Sequence, residues 1–200
     1  MKSLPSGYEI RQLTDQEFLP LWKDHASRIF DDNSQIFRVY QWLSDTEKEK
    51  AKSLRESMGA PFCLNLGLFF EDKFVGWSTG HQESSETFYM RNSAVLPDHR
   101  RKGLYTALLT ETVKIAVEKG FQKIYSRHSS TNNEIIIPKL KYGFVITSME
   151  VTDIFGVLVH LTYFPKELRR KMMVYRVGDM KPDREIDSCL DLKIEWSEKN

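Results

Sequence analysis

The sequence predicts an α+β fold, with one domain over residues 1–178 and a tail over residues 179–200. Three observations lead there. Three runs rich in β-branched and aromatic residues follow one another between Phe62 and Leu96, a long helical period runs from Gly103 to Lys119, and strands alternate with a short helix after it. No repeat, low-complexity tract or Gly/Ser/Pro-rich linker divides the 200 residues, so a single core is the simplest organisation.

In chain order, Tyr8–Leu13 reads as a short strand. Thr14, Asp15 and Glu17 then place a capping residue and first-turn acids ahead of the apolar series Phe18, Leu21, Trp22, His25, Ile29, which is a helix start and stripe. A second helix over Asp45–Met58, closed by Gly59, has only Ala51, Leu54 and Met58 on its apolar face and belongs on the surface. Phe62–Phe70, Phe74–Gly80 and Thr87–Leu96, separated by Glu71–Lys73 and Glu83–Glu86, form an antiparallel meander. Pro97 ends the third run. In the helix that follows, Leu104, Leu108, Thr112, Ile115 and Tyr105, Leu109, Val113, Ala116 make paired stripes, with Gly120 as C-cap. Phe121–Arg127 is a strand, Asn132–Tyr142 a short helix ending at Gly143, and Phe144–Val151 with Val157–Phe164 a last strand pair. Lys166–Val177 reads as a basic amphipathic helix carrying Leu168, Met172 and Tyr175 on one side, and Met180–Asn200 has no assignment.

Composition narrows the function. The chain has 29 Lys plus Arg against 28 Asp plus Glu, a net charge of +1, which argues against a protein built to neutralise nucleic-acid phosphates. No window approaches the roughly 20 apolar residues of a membrane span, and no signal-peptide run follows Lys2. The expectations are a cytoplasmic protein with no nucleic-acid or membrane partner. Cys63 and Cys189, far apart and without metal-ligand spacing, read as reduced thiols, and no metal site is expected.

Any basic function is therefore local, and one segment concentrates it. In Val95-Leu96-Pro97-Asp98-His99-Arg100-Arg101-Lys102-Gly103-Leu104-Tyr105, a strand ends, three cations follow and a glycine opens a helix. A helix start presents unpaired N–H groups and the positive end of its dipole, glycine lets a phosphate approach the backbone, and arginines add forked hydrogen bonds. Chemically this is an anion site.

The segment resembles the acetyl-CoA signature of the GCN5-related N-acetyltransferases, the GNAT superfamily: a strand ending in Val-x-Pro, then Arg/Gln-x-x-Gly-x-Gly/Ala at a helix start. Val95, Pro97, Arg100 and Gly103 match, and Tyr105 stands where the family usually has a small residue. The later family pattern Asn-x-x-Ala-x-x-x-Tyr-x-Lys-x-Gly-Phe is met by Asn132, Lys141, Gly143 and Phe144, with Ile135 at the alanine and Lys139 at the tyrosine position. The resemblance covers Phe62–Phe164, and the element order extends it to Tyr8. It implies a three-layer α/β/α fold on a mixed, mostly antiparallel seven-stranded sheet, in which Thr87–Leu96 and Phe121–Arg127 form a splayed parallel pair. It also implies acetyl-CoA as acetyl donor, with its pantetheine arm along the main chain at Ala94 and Val95. The pyrophosphate would lie on the N–H groups of Arg101, Lys102, Gly103, Leu104 and Tyr105 beside Arg100, and Asn132 would bind on the pantetheine side. The implied activity is N-acetyl transfer by direct attack of a primary amine. A non-catalytic acyl-CoA-binding or regulatory module of the same fold is the alternative.

The resemblance implies a general base, often a carboxylate on the central or a neighbouring strand, and as general acid a tyrosine at the position held here by Lys139, and neither is carried over. No carboxylate lies among Tyr89–Ser93, so the residues offer His128 as general base, at a strand end and with an ordinary pKa of about 6.5. Tyr142, three residues after Lys139, is the candidate acid for the leaving thiolate, and Lys139 or Lys141 a candidate partner for a CoA phosphate. By the same resemblance Trp22, Phe30, Phe37, Tyr40, Trp42 and the Asp153–Gly156 turn would line the acceptor site. The chain is expected to be a monomer or a homodimer.

Overall fold

A computed structural model of the chain describes residues 4–26, 29 and 39–196. The chain divides into two compact units, residues 1–163 and 164–200. In the first, seven strands, β1 (Tyr8–Leu13), β2 (Cys63–Phe70), β3 (Lys73–Gln82), β4 (Thr87–Val95), β5 (Lys123–Ser129), β6 (Val145–Thr152) and β7 (Gly156–Tyr163), form one sheet in the order β1-β2-β3-β4-β5-β7-β6. Every neighbouring pair is antiparallel except β4 and β5. The mixed sheet and its one parallel pair are those expected, with strand ends displaced by one or two residues. One displacement bears on the site: β5 continues to Ser129, so His128 lies within the strand and not at its end.

Among the described residues four α-helices belong to this unit: α1 (Asp15–Ala26), α2 (Asp45–Ser57), α3 (Leu104–Glu118) and α4 (Asn133–Tyr142). Thr14 and Glu17 cap α1 reciprocally, as Ser44 and Glu47 cap α2. The main core lies on the sheet face covered by α3 and α4, where Leu104, Leu108, Leu109, Val113 and Ala116 of α3 and Ile136 of α4 meet Leu64, Leu66, Leu68, Phe88, Met90, Ile124 and Leu161. On the opposite face Phe18 of α1 joins Phe69, Phe74, Trp77 and Ala94. The expected three layers are thus present. α2 buries no residue, as its narrow apolar face requires. Among the described residues no helix is long and apolar enough to cross a membrane.

One irregularity shapes everything near the site. Thr79 pairs with Asn92 and Gly80 with Met90, leaving Arg91 as an extra residue bulged out of β4. A bulge bends its strand and reverses which side chains face each layer. Before it Phe88 and Met90 face α3; after it Ser93 does, through the hydroxyl chain Ser93–Ser78–Thr112, while Asn92 accepts from Trp77 Nε1 at 2.6 Å on the α1 side. Gly80 makes the bulge possible, since a Cβ there would lie 2.5 Å from the Tyr89 carbonyl oxygen and 2.6 Å from the Phe88 ring.

The second unit holds α5 (Glu167–Arg176) and α6 (Arg184–Leu190). Asp183 caps α6 by accepting from the Glu185 and Ile186 N–H groups, and Lys171 of α5 is ion-paired with Asp183 and with Glu185. The basic helix expected within the domain is therefore tied to the tail, and part of that tail is helical although its residue pattern assigns no element.

Replacing Gly80 by alanine is expected to destabilise the fold by about 1–3 kcal/mol, the usual cost of overpacking. The urea midpoint of Gly80→Ala against the native protein measures it.

Candidate active site

β4 and β5 pair only over Thr87↔Lys123, Phe88↔Ile124 and Tyr89↔Tyr125. Beyond that rung, at Met90 and Ser126, the strands part, and a cavity of about 160 Å³ occupies the opening. β4 contributes Met90, Arg91, Asn92 and Ser93 to its wall, α3 contributes Tyr105, β5 contributes Arg127 and His128, and Asn132, Ile135 and Lys139 come from α4 and its start. Three cationic side chains and no carboxylate line it, so the cavity favours negative charge.

The start of α3, the mouth of the cleft, reaches the cavity wall through Tyr105. Gly103 holds φ +77° and Arg101 φ +62°, a left-handed conformation that glycine adopts without strain. A Cβ at Gly103 would meet nothing within 4 Å, so space for another group remains beside it. No side chain caps the helix, and the bond from Ala107 N–H to the Gly103 carbonyl (3.1 Å) closes its first turn. The earlier N–H groups are thus available to an anion. Leu104 anchors this turn in the core.

The three cations at the mouth do different work. Arg100 Nε donates to the Val95 carbonyl at 3.0 Å, fastening the end of β4. Lys102 Nζ donates to Tyr8 Oη at 3.1 Å and the Asp98 carbonyl at 3.3 Å, and Tyr8 Oη is also bonded to His99 Nδ1 at 2.8 Å. Among the described residues the Arg101 side chain has no hydrogen-bond or ion-pair partner. Ala94 and Val95 lie on the part of β4 that has left β5. Asn132 sits at the N-cap position of α4 with its side chain unused for capping. Tyr105 is largely buried, and burial raises its hydroxyl pKa; its ring takes the room that a small residue would leave open.

Two expected catalytic placements are corrected. His128 does line the cavity, but burial, with the Lys139 charge as a second cause, pushes its pKa down to about 3. The argument from an ordinary imidazole pKa no longer holds: His128 is neutral at pH 7 and a weak base. Tyr142 does not line the cavity. Its ring packs on Phe144 and Tyr163, its hydroxyl is hydrogen-bonded to Thr110, and it faces α3 rather than the opening.

The group that sequence reasoning placed wrongly is Lys139. It is 1% exposed, and among the described residues it is the only buried lysine or arginine. Nζ donates to Ser126 Oγ at 2.6 Å and lies 3.4 Å from Met90 Sδ and 4.7 Å from the centre of the Phe144 ring. Burial pulls its pKa down to about 7. Its spacing from Ile135 and Ile136 puts it on the inward face of the helix, a signal carried by the residue pattern alone.

A second cavity, of about 360 Å³, adjoins the first and shares Arg91 and Arg127 with it. Tyr89, Glu150, Thr152, Asp153, Ile154, Phe155 and Leu158 complete its wall. Glu150 accepts from His160 Nε2 at 2.7 Å and from Arg127 at 3.4 Å, and chiefly the His160 bond holds its carboxyl below the usual range. Of the residues expected at an acceptor site, the turn from Asp153 is here. Trp22 packs against the α1 core, Tyr40 and Trp42 are exposed outside both cavities, and Phe30 and Phe37 lie outside the described residues.

A family model described as "Acetyltransferase (GNAT) family" matches residues 8–144. The chain belongs to this family. Solved structures agree at the level of fold. A GNAT family acetyltransferase from Elizabethkingia anophelis with acetyl-CoA bound superposes with a TM-score of 0.53 at 15% identity, covering 80% of this chain and 99% of the other. The ribosomal-protein-S18-alanine N-acetyltransferase from Escherichia coli gives 0.57 at 18% identity over 78% and 93%. Ard1 from Thermoplasma volcanium gives 0.57 at 18% identity over 80% and 99%. No curated protein sequence matches the chain.

For this GNAT chain the Lys139 assignment has a thermodynamic consequence. With a pKa of about 7 folded against an ordinary 10.5, the unfolded chain binds more protons between those values, so native stability rises with pH across that window. Lys139→Met is expected to be more stable than the native protein by a few kcal/mol at pH 6. The difference should hold constant below about pH 7 and shrink as pH approaches about 10.5, as urea unfolding at pH 6, 8 and 10 would show.

Proposed function

We propose that this chain is an acetyl-CoA-dependent N-acetyltransferase that moves the acetyl group by direct transfer to a primary amine. The observation that carries the reading is the opened edge of β4, which runs between an uncapped helix start at one end and a cationic, carboxylate-free vertex at the other. The residues present fit a CoA thioester. Open N–H groups from Arg101 to Tyr105, with Arg101 free beside them, suit a pyrophosphate, and Arg100 and Lys102 add positive charge while bracing the loop. The unpaired edge of β4 up to Ala94 and Val95 suits an amide-bearing arm added as a strand, with Asn132 facing it across the cleft. When bound, acetyl-CoA supplies an activated acyl group on a thiol leaving group.

Main-chain N–H groups on the open edge of β4 polarise the acyl carbonyl where negative charge develops. The second cavity receives the acceptor, where Glu150 and Asp153 hold an ammonium against the rings of Tyr89 and Phe155; the ammonium loses one proton to water before its neutral nitrogen attacks, and Arg91 and Arg127 form the wall between acceptor and donor. His128, neutral at pH 7, serves as a hydrogen-bonding partner rather than a base.

A second reading, a non-catalytic acyl-CoA-binding module, draws on the neutral His128 and the displaced Tyr142. Two measurements separate the readings. Calorimetry should show CoA binding to the native protein, weakened at least about tenfold in Gly103→Glu, equivalent to about 1.4 kcal/mol. An amine panel should then contain a compound that consumes acetyl-CoA above background. Binding without turnover on any amine favours the module, and no binding by the native protein sinks both.

A further inference from the structure

The bulge in β4 sets one cation apart from the rest of the site. Arg91 is the extra residue of that bulge, and among the described residues its guanidinium has no hydrogen-bond or ion-pair partner. The arginine beside it in the cavity wall is committed. Arg127 lies over the Tyr89 ring, 4.9 Å from its centre, with Nε and Nη2 donating to Tyr89 Oη at 3.4 and 3.3 Å and Nη1 donating to Glu150 at 3.4 Å. Arg91 is near enough to His81 that its charge, after burial, lowers the imidazole pKa, and His81 packs edge-on against Tyr89 with ring centres 5.4 Å apart. The Arg91 guanidinium therefore stands at the Tyr89 end of the second cavity with its forked donors open.

That cavity is divided by chemistry. Arg91 and Arg127 stand on the side it shares with the cavity between the split strands. Glu150 and Asp153 add carboxylates, and Ile154, Phe155 and Leu158 add an apolar stretch. The turn that carries Asp153 to Phe155 is closed by the Phe155 N–H donating to Thr152 Oγ1 at 2.8 Å. A volume of about 360 Å³ is near the lower end of small-molecule sites, so it suits a compact ligand. A ligand bringing only an ammonium sets like charge beside an open guanidinium, whereas one that also brings a carboxylate neutralises it.

We propose that the acceptor is a free α-amino acid with an apolar side chain, its carboxylate forked by Arg91, its ammonium arriving against Glu150 and Asp153, and its side chain along Ile154, Phe155 and Leu158. The proposal rests on the reading that an amine is acetylated in this cleft. A guanidinium matches a carboxylate with two parallel N–H···O bonds. Position selects the α-amine: Arg91 lines both cavities, so a carboxylate bound to it lies at the boundary with the donor, and an amine on the adjacent carbon lies there too. An amine at the end of a long chain is carried away towards Phe155. In the transfer, the nitrogen that has shed one proton to water bonds to the acyl carbon, the carbon–sulfur bond breaks with its electron pair leaving on sulfur, and the proton released as the amide forms balances the thiolate. The products are an N-acetyl amino acid and free CoA.

The test begins with the protein amino acids as acceptors, with acetyl-CoA as donor. The best of them is compared with its amide, which keeps the α-amine but lacks the negative charge, as a peptide N-terminus does, with its decarboxylated amine, and with γ-aminobutyrate, whose carboxylate is remote from its amine. The free amino acid is expected to exceed each of the others by at least about tenfold in kcat/KM. In Arg91→Gln the ratio of acid to amide is expected to fall to within about threefold, chiefly through a raised KM for the acid, with Arg91→Lys, which keeps the charge without the fork, in between. Because Arg91 is exposed, the urea midpoint of Arg91→Gln is expected to stay at the native value, so that the ratio is read on folded protein. An amide or decarboxylated amine used as well as the acid, turnover confined to amines that are not amino acids, or a ratio unmoved by Arg91→Gln overturns this proposal and leaves acetyl transfer standing. A native protein that acetylates no amine in a broad panel overturns both.

Discussion

The absence of a side chain at Gly80 is the constraint on which the site depends. It lets the Tyr89 carbonyl come within 2.5 Å of where a Cβ would stand, and that approach lets β4 carry Arg91 as an unpaired residue. From the bulge onward β4 bends away from β5, and the sheet opens in its middle rather than at an edge. Backbone groups left unpaired at the opening need another partner, so the split edge of β4 offers donors and acceptors to water or to a ligand. The same bulge reverses side-chain parity, turning Ser93 towards Thr112 on α3 and Asn92 towards Trp77 on the α1 side. Both layers are thereby held on either side of the split.

A buried cation at the vertex costs the fold stability. Lys139 has hydroxyl, thioether and aromatic neighbours but, among the described residues, no counterion, and these neighbours offset only part of its desolvation. The result is an amine that sits near neutrality instead of being fully charged, and burial, with the Lys139 charge as a second cause, keeps His128 uncharged. At the mouth the logic is reversed. There the cations are exposed, and two of the three are anchored to the framework through Val95, Tyr8 and Asp98. Positive charge is thus fixed in place ahead of any anion, which lowers the ordering cost of binding one.

Much of the fold was legible in the sequence because it is written in periodicities. The polar turns at Glu71–Asp72 and Glu83–Glu86, the proline after Val95 and the paired stripes of α3 each have one structural reading, and strand ends moved by no more than two residues. The mouth was equally legible, since Arg100 to Tyr105 join charge, glycine and a helix start. The vertex was not. A lysine is ordinarily solvated, and only its three- and four-residue spacing from Ile136 and Ile135 marked Lys139 as inward-facing. Tyr142 failed for a related reason: three residues onward around a helix is a rotation of about 300°, enough to carry the ring past the cleft and onto Tyr163 and α3. The bulge had a faint signature too, in the change from alternating Phe88 and Met90 to adjacent buried Ala94 and Val95. Glu150 had none, because its place beside Arg127 depends on the pairing of β5, β7 and β6.

Alternation along β5 explains how one split sheet presents two different environments on its two faces. Ser126 and His128 point to the face of α3 and α4, while Arg127 points to the other, where it meets Tyr89 and Glu150. The two cavities are therefore neighbours, with Arg91 and Arg127 in both walls. Each face carries its own electrostatics: cationic and free of carboxylates at the vertex, mixed in sign with Glu150 and Asp153 beyond. On the proposed reading, a donor that leaves as an anion and an acceptor whose amine arrives as a cation make opposite demands. A sheet opened by a one-residue bulge meets both within the width of a single strand, because neighbouring residues on β5 face opposite layers.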